Sequence, residues 1–155
     1  ATRPLLVEIQ ALVDLANGTP KRVSVGLDQN RLSLQLAILH KHSGIATFDQ
    51  DVFINVVGGI KVSETASDLV VMLAIVSSLR DKVIPSKWIA FGEVGLTGEV
   101  RPVYNSMERL SEAQKQGFEI AIIPKGNAPK KPIKGMKVVT VGYLYQAIQY
   151  LLENS

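Results

Sequence analysis

The sequence predicts an α/β fold of the two-layer α+β kind, with helices packed against a mixed sheet. Short runs of β-branched and apolar residues alternate with longer stretches of helical periodicity, and Gly, Pro and Asn clusters separate them. Apolar residues make up 46% of the chain and charged residues 20%, a balance that supports a packed core rather than disorder. At 155 residues the chain has the length of one domain, and residues 1–155 read as a single one. A domain of that size buries roughly 70% of its unfolded surface.

Leu5 to Val13 has a strand pattern, Asn17-Gly18-Thr19-Pro20 is turn chemistry, and Arg22 to Val25 forms a second short strand, so the spacing predicts a hairpin. Asp28 caps a first helix whose Leu32, Leu36 and Leu39 share a face. Gly44 stops it, after His40, Lys41 and His42 have placed cations at the negative end of its dipole. Asp51 to Val57 is the next strand, ending at Gly58-Gly59, and Thr65-Ala66-Ser67-Asp68 is a capping-box variant opening a second helix. Leu69 to Val76 is apolar on every face, which marks that helix as the core element; Pro85 closes its exit. Trp88 to Val94 and Glu99 to Val103 are strands around a tight turn at Gly95-Leu96-Thr97-Gly98. Asn105 and Glu108 form a capping box for a third helix with Met107, Leu110, Ala113 and Gln114 on one face, ending at Gly117. A buried strand at Ile120 to Ile123, a lysine-rich surface loop from Pro124 to Lys137, a strand at Val138 to Val141 and a helix from Tyr143 complete the chain.

Several function classes are excluded. The absence of cysteine rules out a disulfide framework and cysteine-ligated zinc or iron–sulfur sites. The two histidines, His40 and His42, lie two apart on a helix and point away from each other, so no metal and no other cofactor is expected. No apolar run approaches the roughly 20 residues that cross a bilayer and no signal segment opens the chain, so a soluble, cytoplasmic protein without a membrane partner is expected. Gly92, Gly95 and Gly98 match no phosphate-binding spacing, and no Walker loop is present, so ATP hydrolysis is not expected of this chain. No histidine has the context of a nucleophile elbow. The start, Ala1-Thr2-Arg3-Pro4, lacks an initiator Met and reads as the beginning of a fragment of a longer protein.

One stretch carries a resemblance. Gly92-Glu93-Val94-Gly95-Leu96-Thr97-Gly98-Glu99-Val100-Arg101-Pro102-Val103, then Glu108-Arg109-Leu110 and Ala121-Ile122-Ile123-Pro124-Lys125, resembles the proteolytic domain of the Lon protease family, as does Lys61-Val62-Ser63-Glu64-Thr65-Ala66-Ser67-Asp68-Leu69 with Val76-Ser77-Ser78-Leu79. The resemblance covers about the last two-thirds of the chain and implies a Lon-type fold. It puts Ala66 where that family has its nucleophilic serine and Met107 where it has its lysine base. Alanine has no nucleophile and a thioether is no useful base, so an inert peptidase is expected. Ser67 and Ser63, with Lys61 as a neighbouring amine, do not inherit the geometry. A narrower resemblance spans nearly the whole chain: Thr2 to Val13, Arg22 to Leu32, Gln50 to Gly59 and Phe91 to Arg101 are similar to the C-terminal domain of the RadA (Sms) family of bacterial DNA-repair proteins. That resemblance implies a protein with a zinc finger and a RecA-like ATPase, both absent here, forming a hexameric ring that drives branch migration in recombination, with the Lon-type dyad lost.

The domain of such a protein serves as ring scaffold and DNA-binding platform, and the residues supply candidates. Lys21 and Arg22 follow the first turn, Arg31 lies in the first helix, and Lys125, Lys130, Lys131, Lys134 and Lys137 occupy a stretch with no acidic residue between Ile120 and Tyr150. Lysine and arginine on loops suit phosphate contacts without sequence readout, and no aromatic residue interleaves with the basic run to stack on bases. The expected partners are DNA, single- or double-stranded, and further copies of the chain in a homohexamer. A peptidase using a non-standard serine and a pure oligomerisation module are the alternatives.

Overall fold

The computed structural model describes residues 6–59 and 64–155. It is an α/β structure whose strands divide into small sheets. The first holds β1 (Ile9–Leu15), β2 (Arg22–Val25) and β3 (Gln50–Val56); the second holds β4 (Trp88–Ala90), β7 (Ile120–Pro124) and β8 (Lys137–Val141); β5 (Glu93–Val94) and β6 (Val100–Arg101) form a two-stranded ribbon. The helices are α1 (Gln29–Ser43), α2 (Asp68–Arg80), α3 (Ser106–Lys115) and α4 (Leu144–Asn154).

The first two strands do not form the expected hairpin. β3 lies between them, antiparallel to β1 with Leu12 opposite Phe53, and parallel to β2 with Val23 opposite Phe53. A central strand bonds on both edges, and β3 takes that place because Val52, Ile54 and Val56 give it an unbroken inward apolar row, each at most 2% exposed. Side chains fix the register: the Lys21 N–H donates to Asp51 Oδ1 at 2.7 Å, and Arg22 reaches the Gln50 and Thr47 carbonyls. The parallel pairing requires a crossover, which α1 supplies. Asp28 caps α1 by accepting from the Arg31 N–H at 3.0 Å, and Gly44, at φ 64°, ends it in the left-handed conformation that glycine adopts without strain.

α2 is buried along almost its whole length, with Leu69, Val71, Met72, Ile75 and Val76 fully enclosed. Each such side chain contributes roughly 1.5–3 kcal/mol. The capping box expected at its start is replaced by a 3₁₀ turn over Thr65–Ser67, and no side chain caps the helix. The Asp68 carboxylate turns instead into the protein. The helix ends at left-handed Asp81, several residues before Pro85. The expected capping box of α3 is likewise missing, because Asn105 adopts a left-handed φ of 59° and makes no side-chain cap.

The second sheet is parallel and covered on both faces. Trp88, Ala90, Ile120, Ile122 and Val141 point into the core shared with α1, α2, α4 and the first sheet, while Ile89, Phe91, Ala121 and Ile123 pack with Leu110 and Ala113 of α3. Two-sided burial explains why β7 reads as a continuous apolar run. The strand expected over Trp88 to Val94 breaks at Gly92, whose N–H donates to Ala66 O at 2.8 Å and whose carbonyl accepts from Leu69 N at 3.1 Å. At φ 153° a side chain there would put Cβ 2.9 Å from Val100 Cγ1 and 3.3 Å from Pro124 Cγ. Gly92 therefore leaves room for Val100 and Pro124 while its backbone bonds the turn before α2 to the strand.

Asp68 is 1% exposed. It accepts from Arg31 Nε at 2.9 Å, from Arg31 Nη2, from Gln35 Nε2 at 3.0 Å and from the Val94 N–H at 3.0 Å. Replacing Asp68 by Ala strands a guanidinium and a buried amide, and should destabilise the fold by about 3–5 kcal/mol, read as a drop in the urea midpoint with an unchanged slope.

Candidate nucleic-acid interface

The basic residues separate into those engaged in the fold and those free to meet a ligand. Arg31 is engaged: its guanidinium grips Asp68 through two bonds, and that carboxylate raises the Arg31 pKa further above its ordinary value. Arg22 is half-buried and donates through Nη2 to Thr47 O at 2.8 Å and through Nη1 to Gln50 O. Both are anchors of α1 and β2, with only part of their surface facing solvent. Lys21 keeps an exposed side chain, since only its backbone N–H is used by Asp51.

The lysine run is divided by the fold. Lys125 follows β7, at the end of the second sheet where β8 leads into Gly142, and a Cβ built on Gly142 would lie 3.6 Å from Lys125 Cδ. Lys137 begins β8 at the opposite end, with Nζ 5.6 Å from the Tyr150 ring centre. Five residues of strand, about 16 Å, separate the two ends. Lys130, Lys131 and Lys134 are exposed on the connection between them, where Gln114 Nε2 donates to Lys134 O at 2.8 Å.

Ala66 and Met107, the positions singled out by the Lon resemblance, offer no reactive group. Ala66 lies in the 3₁₀ turn before α2, 7% exposed, and Met107 is 52% exposed in the first turn of α3. Ser67 is half-buried and forms no capping bond; Lys61 and Ser63 lie outside the described residues. Sequence reasoning missed Arg109, which is 7% exposed, donates to Glu64 Oε2 at 2.9 Å and to Tyr104 O at 3.2 Å, and lies 5.9 Å from the Phe91 ring centre. Its place after Glu108 in an apolar-facing helix gave no hint of burial. Among the described residues no group of three or more His, Cys, Asp or Glu sits together as metal ligands, and no helix is long and apolar enough to cross a membrane. A groove of about 420 Å³ between β1 and the end of α2, with Ala11, Ala74 and Ser77 in its wall, is lined by none of the candidate basic residues.

The β5–β6 ribbon carries a strongly perturbed carboxylate, Glu99. Thr97 donates to Glu99 Oε1 through its hydroxyl at 2.6 Å and its N–H at 3.2 Å, and Arg101 donates to Oε2 at 2.8 and 3.0 Å. The Thr97 bond first, and the Arg101 pair after it, hold Glu99 down at about 2. Arg101 also approaches Glu93 at 3.5 Å.

The comparison with known families is decided by residues 12–127, which match the family model described as subunit ChlI of Mg-chelatase. The chain belongs to that ChlI family. The same ChlI-type chain is homologous over nearly its whole length to DNA repair protein RadA. It is 58% identical to RadA of Pseudomonas aeruginosa over 153 residues, covering 98% of this chain and 34% of the relative. The figures are 58% over 150 residues, 95% and 32%, for RadA of Escherichia coli, and 44% over 151 residues, 96% and 33%, for RadA of Bacillus subtilis. The chain thus spans about a third of the length of these relatives.

Because Glu99 binds its proton more weakly in the fold than in the open chain, its contribution to the ribbon is complete above the ordinary carboxylate range near 4.5 and is lost as pH falls toward 2. Protection of the Thr97 amide, measured against the unfolded chain at the same pH, should fall over that acid window, and a Glu99→Gln variant should lack the step.

Proposed function

We propose that this chain is a catalytically inert, Lon-type domain of a DNA recombination and repair protein, acting as scaffold of a hexameric ring and as a nonspecific platform for the DNA backbone during branch migration. The observation that carries the reading is the similarity, over 98% of the chain, to a protein named for DNA repair. Ala66 and Met107 agree with loss of the peptidase dyad, since a methyl and a thioether can neither attack a carbonyl nor take a proton. No cofactor is invoked.

The phosphate contacts are assigned to four exposed lysines, Lys21, Lys125, Lys130 and Lys131. Arg22 and Arg31 act mainly by positioning the elements that carry them. Lysines are point charges on flexible stems, suited to contacting phosphate wherever it passes. The assembly part of the reading draws on the outer face of the first sheet, where Leu12 and Val23 flank Phe53 across the three strands, beside Val25; Leu12 is 59% and Val25 56% exposed. A contiguous apolar face of that kind suits contact with another copy, and six weakly binding copies in a ring gain affinity by avidity.

Fluorescence anisotropy of labelled DNA, titrated across a salt series with light scattering in the same buffers, tests this. About four phosphate contacts per chain should give a slope near −3.6 on duplex DNA, about a 150-fold loss of affinity between 50 and 200 mM salt. Combined Lys21→Ala, Lys130→Ala and Lys131→Ala should weaken binding to all sequences alike. Absence of binding by a hexamer at low salt would reduce the chain to an oligomerisation module, and proteolysis of an unfolded protein blocked by a serine-directed inhibitor would overturn the inert assignment.

A further inference from the structure

We infer that Tyr143 and Tyr145 form a base-stacking platform for single-stranded DNA, with Lys125 beside them to hold the adjoining phosphate. The inference rests on the DNA-binding reading above and adds to it a preference for unpaired strands. The two rings have their centres 5.9 Å apart with 24° between their planes, and the residues are 50% and 52% exposed. Two large aromatic side chains stacked on each other in solvent offer a further base a flat, apolar surface.

The backbone beneath them is pinned from several directions. Tyr143 is extended, at φ −135° and ψ 151°, and bridges Glu99 of the ribbon. On one side Val100 N–H donates to Gly142 O at 2.9 Å; on the other Leu144 N–H donates to Gly98 O at 2.8 Å. Gln146 Oε1 accepts from the N–H groups of Gly142 and Tyr143 at 2.7 and 3.0 Å. The platform is therefore ordered before a ligand arrives, which lowers the entropic cost of binding.

Charge is brought to the same corner by the fold alone. The Lys125 arm crosses Gly142, its Cδ and Cε 3.6 and 3.8 Å from where a Cβ would stand, immediately before Tyr143 in the chain. Of the ribbon acids, Glu99 is neutralised by Arg101 at 2.8 Å and Glu93 is approached by the same guanidinium at 3.5 Å, so the ribbon keeps one net negative charge, which the Lys125 ammonium offsets. Bases in a duplex are already stacked on one another and cannot enter, whereas unpaired bases can, so the arrangement selects single strands.

The test measures binding of the 155-residue chain to oligo-dT, to an abasic strand of equal length and to duplex DNA. Tyr143→Ala and Tyr145→Ala should each lower affinity for oligo-dT on the order of 10-fold while leaving the abasic strand and the duplex unaffected. The Phe variants should bind as the parent does, because stacking needs the ring and not the hydroxyl. Lys125→Ala should lower affinity for all three ligands and reduce the salt slope by about 1. Equal binding of oligo-dT and the abasic strand by the parent protein, a comparison that needs no variant, would overturn the platform while leaving backbone binding intact. Equal oligo-dT affinity for the parent and for folded Ala variants would do the same. Failure of the parent to bind any of the three would overturn the DNA-binding reading, and the platform with it.

Discussion

A buried carboxylate ties three parts of the chain together. Asp68, at the first position of α2, receives bonds from Arg31 and Gln35 on α1 and from the Val94 amide on β5. Desolvating an ion is expensive, by several kcal/mol, and four well-directed donors offset it only when all are in place. The central helix is therefore registered against the crossover helix and the ribbon by a polar clamp at one end, while its apolar faces supply most of the stabilisation. Gly92 completes the arrangement from below, holding the Ala66 turn and the Leu69 amide to the strand.

That clamp also sorts the basic residues. An arginine engaged by a buried carboxylate, as Arg31 is, or by two backbone carbonyls, as Arg22 is, has part of its donor set committed before any phosphate approaches. Exposed lysines with uncommitted ammonium groups are the better ligands for a polyanion. On the proposed reading, Arg22 and Arg31 serve the architecture and the exposed lysines the contact.

Local structure was legible in the sequence. Asp28 and Gly44 bounded α1 as expected, the all-apolar stretch from Leu69 marked the core helix, and Gly95 to Gly98 made the turn of the β5–β6 ribbon. Apart from the two expected capping boxes at α2 and α3, what escaped was long-range. Whether β1 pairs with β2 or β3 depends on which strand gains most from a central place, a competition settled over the whole sheet rather than within a turn. The partner of Arg31 lies 37 residues away and that of Arg22 Nη2 lies 25 away, so their charge is visible in sequence while their engagement is not. The basic run suffered the opposite error: Lys125 and Lys137, read as one run, were carried to opposite ends of the second sheet, and the absence of interleaved aromatics concealed that the Lys125 arm crosses Gly142, the residue before Tyr143.

The two-sided cover of β7 has a consequence for how the protein opens. The strand has partners on both edges and packed side chains on both faces, so its amides have no route to solvent that leaves the remaining structure intact. Their hydrogen exchange reports the free energy of global unfolding, whereas β1, on a sheet edge with one open face, breathes by local fraying. Opening is in that sense graded by position, last along the second sheet and first at the rim of the first.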